Sequence, residues 1–223
     1  GTAGTAGTAG SASAGPASAP RLALADLGAA WPRDERPAWR ELARQMNIAV
    51  PAEDPCAEGP AGSARCHRAV AMGLALVRQL GRPGVLYLLG PDGKQRHAVL
   101  IGLGSQDALL ATPDGPRRVA LLELASAWRG DFGTYWTPPA GYAGSPRDGD
   151  GGAYVDGIAR ALARAAGEAT PLAPARWDGA LRGRLEAFQR AQGLRPDGVP
   201  GPLTLMQLAQ AAGQTGPRLI TLP

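Results

Sequence analysis

The run from Phe188 to Thr204, FQRAQGLRPDGVPGPLT, constrains the fold more than any other stretch of this sequence. Gly193 can adopt the left-handed conformation that ends a helix, and Leu194 can then fold back onto the apolar face of that helix. The Pro-Asp-Gly triplet that follows is typical of a tight turn. Pro202 suits the first position of a new helix, and the Thr204 hydroxyl is expected to satisfy a free backbone N–H nearby. The run therefore predicts two helices joined by a compact turn.

Apolar residues at helical spacing predict three helices in the last third of the chain, and no strong strand signal accompanies them. The three sets are Ile158, Leu162 and Ala166; Leu181, Leu185 and Phe188; and Leu205, Leu208 and Ala212. This part of the chain is therefore expected to be an all-α module over residues 153–216.

Between Gly84 and Trp136 the apolar pattern is that of strands instead. Short apolar runs separated by Gly-, Pro- and Asp-rich turns predict an antiparallel meander. The predicted strands are 85–89, 97–103, 108–111, 117–121 and 131–136, with a short helix over 122–128. Helical spacing also predicts helices over 38–48 and 69–80. The first part is therefore expected to be an α+β domain with an antiparallel sheet.

Two segments have the composition of linkers. Residues 1–20 consist of a Gly-Thr-Ala repeat followed by SASAGPASAP, and with almost no bulky apolar side chain they are expected to be flexible. Residues 141–152 lie in a Pro- and Gly-rich stretch that is the clearest boundary candidate. The expected organisation is a linker over 1–20, an α+β domain over 21–140, a linker over 141–152 and the helical module.

The two cysteines, Cys56 and Cys66, flank a loop rich in Gly, Pro, Ser and Ala. An even number of cysteines around such a loop favours a disulfide, which in the chain-entropy model contributes about 2–3 kcal/mol. The alternative is two unrelated buried thiols.

Composition and motifs argue against several functions. The net charge is +4 and the pI about 9.6, but the arginines are scattered and form no basic stripe, so a nucleic-acid partner is not expected. A mild positive charge suits an anionic polymer such as peptidoglycan. The chain has no GxxxxGK[ST] phosphate loop, no HExxH motif and no paired CxxC motif, so we expect no nucleotide hydrolysis, metal or cofactor. No apolar stretch is long enough to span a membrane, and no signal peptide is recognisable.

The pattern FQxxxGLxxDGxxGPxT resembles the second half of the peptidoglycan-binding domain appended to many bacterial wall hydrolases. The resemblance covers about residues 153–213. It implies a shallow binding groove, although the same residues also suit the turn and caps of a helical hairpin. Here the family's first Gly/Asp-rich repeat is replaced by an Ala- and Pro-rich loop over 167–177. The expected groove residues are Arg182, Phe188, Gln189, Leu194, Asp197 and Thr204. Arg182 is available for a stem-peptide carboxylate.

The first part resembles bacteriocin-processing, papain-like cysteine peptidases, in which a catalytic His opens a strand such as His97-Ala-Val-Leu-Ile. The other catalytic positions differ. Thr112 stands where the Asp would be, and Pro37, Ala38 and Trp39 stand where the nucleophilic Cys would begin the first long helix. We therefore expect a degenerate peptidase domain with no catalytic residues, because a lone imidazole has no nucleophile to activate.

A degenerate peptidase-like domain followed by a peptidoglycan-binding module is similar to the periplasmic part of the general secretion pathway protein A (GspA/ExeA) family. The resemblance covers about residues 31–213 and rests on RPGVLYLL, HAVLIGL, WRGDF and the C-terminal pattern. It implies a non-catalytic, peptidoglycan-binding assembly factor of type II secretion. Its expected partners are peptidoglycan, an inner-membrane secretion protein and an outer-membrane secretin, and oligomers are compatible with it. Location in the periplasm is implied, with an ATPase and an inner-membrane anchor upstream.

Two alternatives stay open at this point. One is a cysteine peptidase, or a peptidoglycan amidase or hydrolase, that uses Cys66 with His97 and a wall-targeting module. The other is a helical module that has become a protein-interaction surface.

Overall fold

The computed structural model describes residues 19–28, 31–60, 62–171 and 174–223. Most of the predicted 1–20 linker lies outside the described residues. Of its last two residues, Pro20 accepts a hydrogen bond through its carbonyl from the Arg118 amide at 2.9 Å. The helices are α1 (Leu24–Gly28), α2 (Arg36–Gln45), α3 (Leu74–Leu80), α4 (Leu121–Ala127), α5 (Ala153–Ala165), α6 (Gly179–Ala191) and α7 (Pro202–Ala211). The strands are β1 (Arg65–Ala69), β2 (Gly84–Leu89), β3 (Gln95–Leu103), β4 (Asp107–Ala111), β5 (Arg117–Ala120), β6 (Trp128–Trp136) and β7 (Ile220–Thr221).

The strands form one sheet in the order β1-β6-β2-β3-β4-β5, and every pairing along this path is antiparallel. The predicted α+β class and antiparallel sheet are confirmed. The short strand β7 adds to β3 in parallel, with Gly102 opposite Ile220.

Both faces of the sheet are covered, and alternate strand residues supply two separate cores. On one face, Val85 and Val99 pack with Trp39 and Leu42 of α2. On the other face, Leu86 and its neighbours belong to a larger cluster that also contains buried residues of α3, α4 and the three C-terminal helices. The strands are consequently apolar on both sides, which explains their nearly continuous hydrophobic runs.

The segment that joins the sheet to the C-terminal helices is anchored by aromatic residues. The Tyr142 ring lies edge-on to Trp136 at 5.2 Å and to Tyr154 at 5.5 Å between centroids. The same segment is joined to the loop before α6 by a backbone hydrogen bond. The amide of Trp177, in that loop, donates to the carbonyl of Asp150, in the segment, at 2.7 Å. The C-terminal helices are therefore held against the end of the sheet.

After α7 the chain returns to the sheet. The Leu219 amide donates to the Gly81 carbonyl at 2.8 Å, and β7 follows directly. Leu222 then enters the core beneath α2, where its side chain is buried.

Three helices in the last third are confirmed, but some predictions for the first part were wrong. Strand β1 (65–69), which pairs along its whole length with β6, was missed, and its last residue, Ala69, had been assigned to a helix. The helix predicted over 69–80 is shortened to α3 by Ala71, which has a positive φ of 54°. Helix α2 begins at Arg36 and ends at Gln45, earlier than predicted, and Asn47 with φ 53° follows it. Helix α1 and strand β7 were missed.

No helix in the described segments has the length and apolar character needed to cross a bilayer. Within the same segments, no group of three or more potential metal-ligating side chains comes together.

Candidate functional site

The turn between α6 and α7 has the geometry that its residues predict. Gly193 adopts φ +64°, and the Leu194 amide donates back to the Gln189 carbonyl at 2.9 Å, so the helix ends and the chain folds back. Helix α7 begins at Pro202. Helix α6 is capped by Asp178, whose side chain accepts from the Leu181 amide at 2.8 Å.

Gln189 is the centre of a buried hydrogen-bond network that holds this turn; only 1% of the residue is exposed. Its Nε2 donates to Asp197 Oδ1 at 3.0 Å, to the Val199 carbonyl at 2.9 Å and to Thr204 Oγ1 at 3.2 Å. Its Oε1 accepts from the Gly198 amide at 2.9 Å. The amide of one side chain therefore satisfies both sides of the turn.

The expectation that Thr204 would accept from a backbone N–H is wrong, because its hydroxyl accepts from the Gln189 side chain instead. The buried Gln189 amide takes the Thr204 hydroxyl as one of its three acceptors. Thr204 itself is buried.

The remaining predicted groove residues lie around the same turn but play different parts. Phe188 is half-buried against the main core, and Leu194 is half-buried beside the turn. Arg182 lies over Gly198, where an added Cβ would come within 2.5 Å of the Arg182 Cγ. Its guanidinium pairs with the carboxylate of Asp148 in the connecting segment. The structure thus brings the six residues to one turn, with Gln189 and Thr204 inside it and Arg182 on its surface.

A second cleft, of about 450 Å³, is lined by His97, the residue at the position of the catalytic His in the peptidase resemblance. Glu35, just before α2, also lines it and accepts hydrogen bonds through Oε2 from the Tyr87 hydroxyl at 2.8 Å and from Trp39 Nε1 at 3.3 Å. Its other oxygen forms an ion pair with Arg68. These three partners satisfy the carboxylate, and burial together with the bond to Glu35 raises the pKa of Tyr87. Sequence reasoning missed this cluster, because a glutamate before a helix has an ordinary capping pattern.

His97 lines the same cleft as a buried side chain. Its Nδ1 lies 3.2 Å from the Pro32 carbonyl, and its ring stands edge-on to Tyr87 at 5.1 Å. Burial lowers the pKa of His97, so the ring is held neutral. Thr112, at the expected Asp position, donates its hydroxyl hydrogen to the Gly115 carbonyl at 2.6 Å and so closes a turn.

Cys56 and Cys66 form a disulfide, with Cα atoms 5.3 Å apart, and the predicted pairing is present. Cys66 lies on β1 and His97 on β3, and two strands, β6 and β2, separate them in the sheet. At ~4.8 Å per strand the two strands are about 14 Å apart, so the two residues are separated by at least that distance. Neither sulfur is available to an imidazole in this arrangement.

Comparison with known families matches residues 140–208 to the family described as "Putative peptidoglycan binding domain". The match contains α5, α6, the turn between α6 and α7, and most of α7. It begins within the segment anchored by Tyr142.

A curated relative is similar along most of the chain. General secretion pathway protein A of Aeromonas hydrophila is 31% identical over 167 residues, which is 75% of this chain and 30% of the relative. The chain therefore spans less than a third of the length of that protein.

A solved structure shares the fold. A periplasmic domain of the EpsAB fusion protein of the Vibrio vulnificus type II secretion system superposes with a TM-score of 0.55 at 22% sequence identity. The superposition covers 87% of this chain and 95% of that domain, so both the sheet and the C-terminal helices are included.

Proposed function

We propose that this chain, a relative of general secretion pathway protein A that carries a peptidoglycan-binding domain, is the non-catalytic wall-binding part of a type II secretion assembly factor. The observation that carries the proposal is the peptidoglycan-binding match over residues 140–208, joined to a sheet whose peptidase-like cleft holds no thiol. In this role the chain grips peptidoglycan in the periplasm, together with an inner-membrane partner, and helps the secretin assemble through the wall. A membrane anchor upstream would hold it beside the wall.

The turn of α6 and α7 is the proposed contact with the wall. Its internal network leaves a rigid edge formed by Leu194, Asp197 and Val199, beside the Arg182 guanidinium. A rigid edge loses little conformational entropy when it binds a polymer. Arg182 is paired with an exposed aspartate, Asp148, so an incoming carboxylate can replace that partner at little cost.

Co-sedimentation of the full chain with purified sacculi tests the proposal, and we expect the chain in the pellet. The Arg182→Ala variant should bind roughly tenfold more weakly, because it lacks a charge-assisted hydrogen bond to a wall carboxylate. Arg184→Ala is the matched control, since Arg184 lies on the same helix and pairs with Glu168. A wild-type chain that stays in the supernatant contradicts wall binding.

The peptidase or amidase alternative requires a thiolate, since the thiolate is the attacking species. The disulfide argues against it, as does the separation of Cys66 from His97. Titration with a thiol reagent under denaturing conditions should find no free thiol before reduction and two after it, because the sequence has two cysteines. A free, fast-reacting thiol in the native, unreduced protein would favour the enzyme instead.

A further inference from the structure

A cavity of about 300 Å³ lies where the returning C-terminal tail, helices α5 and α7 and the end of β6 meet. One part of its wall is apolar and includes Trp136, Ile158, Leu205 and Met206, and polar residues such as Gln210 and Gln214 line the rest. Two arginines, Arg82 and Arg218, also line it. This cavity is separate from the α6–α7 turn and from the cleft around Glu35.

Arg82 is incompletely satisfied. It follows the left-handed Gly81 that caps α3, and its Nη2 donates to the Tyr135 carbonyl at 3.1 Å. Its Nε is buried, with no hydrogen-bond partner among the residues that the structure describes. Burial, and secondarily the positive charge of Arg218, lower the pKa of Arg82. The group is a cation placed in an unfavourable environment.

Arg218 is held beside it by the backbone. The next residue, Leu219, donates its amide to the Gly81 carbonyl at 2.8 Å, and so the tail fixes Arg218 against the segment that carries Arg82. The Arg218 Nη1 would lie 3.8 Å from a Cβ built on Gly81. Within the described segments, neither arginine pairs with a carboxylate, and the cavity lining contains no acidic side chain.

Two neighbouring cations that line one cavity, beside an apolar wall, suit an anionic ligand. Bringing like charges together and partly burying them costs free energy, which a bound anion recovers. Guanidinium groups match a carboxylate in geometry, through paired N–H donors. The small residues Gly157 and Ala161 on α5 leave room for short side chains, and the volume lies at the lower end of the range for small-ligand pockets, ~300–1,000 Å³.

The geometry points to this cavity as a binding site for the terminal carboxylate of a short peptide with small side chains, supplied by a peptidoglycan stem peptide. The inference rests on the proposed function and adds a ligand group and a place for it. The wall is favoured as the source because α5 and α7, which form one side of the cavity, both lie in the segment matched to the peptidoglycan-binding family. The terminal carboxylate of the peptide would lie between Arg82 and Arg218, and the small side chains of the peptide would contact the apolar wall.

Isothermal titration of the full chain with acetyl-D-alanyl-D-alanine and with its C-terminal amide tests the inference. We expect the acid to bind and the amide to bind at least roughly tenfold more weakly, because a charged acceptor is lost. Arg82→Gln and Arg218→Gln should each weaken binding of the acid by roughly 10- to 100-fold. Arg218 is exposed, so its variant is expected to fold normally even if Arg82→Gln is destabilised. Arg184→Gln is the control and should bind like the wild type.

Four results would overturn the inference. They are equal binding of acid and amide, no binding of the acid at millimolar concentration, unchanged affinity in Arg218→Gln, and equal or tighter binding of acetyl-L-alanyl-L-alanine, which would point to the C-terminus of a protein. Sacculus co-sedimentation separates this inference from the proposed function. If the chain pellets with sacculi but does not bind the dipeptide, the cavity site alone is disproved. If the chain binds the dipeptide but does not pellet with sacculi, wall binding is disproved.

Discussion

Gln189 is part of a sequence pattern that resembles a binding motif, but its hydrogen bonds lie within the turn. The run FQxxxGLxxDG places the glutamine where its amide reaches across the turn to three acceptors and one donor. A buried amide with both ends satisfied stabilises one conformation of the turn, whereas a half-satisfied one is costly. The identity of this residue is therefore explained by folding, and the proposed wall contact is assigned to its neighbours.

Replacement of Gln189 by Ala should destabilise the protein by about 2–3 kcal/mol, because it leaves the buried Gly198 amide and Thr204 hydroxyl without their partner. Urea denaturation followed by circular dichroism measures the change. Gln192→Ala is a suitable control, since Gln192 makes an exposed side-chain contact with Gln79, and it should cost about 0.5 kcal/mol or less. A loss in Gln189→Ala no larger than in the control would refute the role of the network.

The two histidines give the fold a pH dependence. Burial lowers the pKa of both His67 and His97 from the ordinary value of 6.5. In each case the unfolded chain takes up the proton more readily than the folded protein. Stability is therefore complete above about pH 6.5 and falls as the pH drops below it. The carboxylates with lowered pKa, such as Asp92 and Asp107, titrate below this window.

We expect the urea midpoint to be lower at pH 5.5 than at pH 7.5. His97→Asn should reduce this difference, because an Asn amide can still donate to the Pro32 carbonyl but does not titrate. The limiting slope is about 1.4 kcal/mol per pH unit for each histidine. A variant with the same pH dependence as the wild type would show that His97 is protonated equally in the folded and unfolded states.

Among the elements, the short strand β7 depends most clearly on the residue that follows it. It makes only two pairs with β3, yet it is followed directly by Leu222, which is 5% exposed and packs in the core beneath α2. A strand of two residues has little stability of its own, so the buried leucine must hold it in place.

Leu222→Ala should therefore destabilise the protein by about 2–4 kcal/mol, which is usual for a buried leucine. Ile220→Ala is the matched control, because Ile220 is 37% exposed and its truncation should cost about 1 kcal/mol or less. Thermal or urea unfolding measures both. Equal effects of the two substitutions would mean that the tail does not contribute to the core.

At the scale of the whole molecule, the sequence predicts elements whose signals are local. The meander is visible because Gly90-Pro-Asp-Gly separates two apolar runs, and the helix end at Gly193 because glycine tolerates a positive φ. The predictions failed where long-range pairing decides the structure. Residues 65–69 are a strand because β6 lies beside them, and 220–221 are a strand because β3 has an unpaired edge there. No periodicity within these segments carries that information.

The candidate sites also differ in whether local sequence signals or long-range contacts bring their residues together. Residues of the α6–α7 turn are predictable because they are neighbours in sequence as well as in space. Arg82 and Arg218 are not, since the chain between them contains strands β2 to β6 and all three C-terminal helices. Glu35 and Arg68 meet in the second cleft for a similar reason, because β1 is placed there by its pairing with β6.

The return of the tail to the sheet has a practical consequence for anyone who labels or dissects this protein. A Cβ added at Gly104 would lie 3.3 Å from the Pro223 carbonyl oxygen, so a fluorescent tag joined after that proline would lie beside the end of strand β3 and report on its surroundings. It would not track the helices that precede it in the primary structure. Conversely, a helical fragment starting near residue 150 would carry Leu222 without the residues that bury it. The exposed apolar side chain would favour self-association of the fragment.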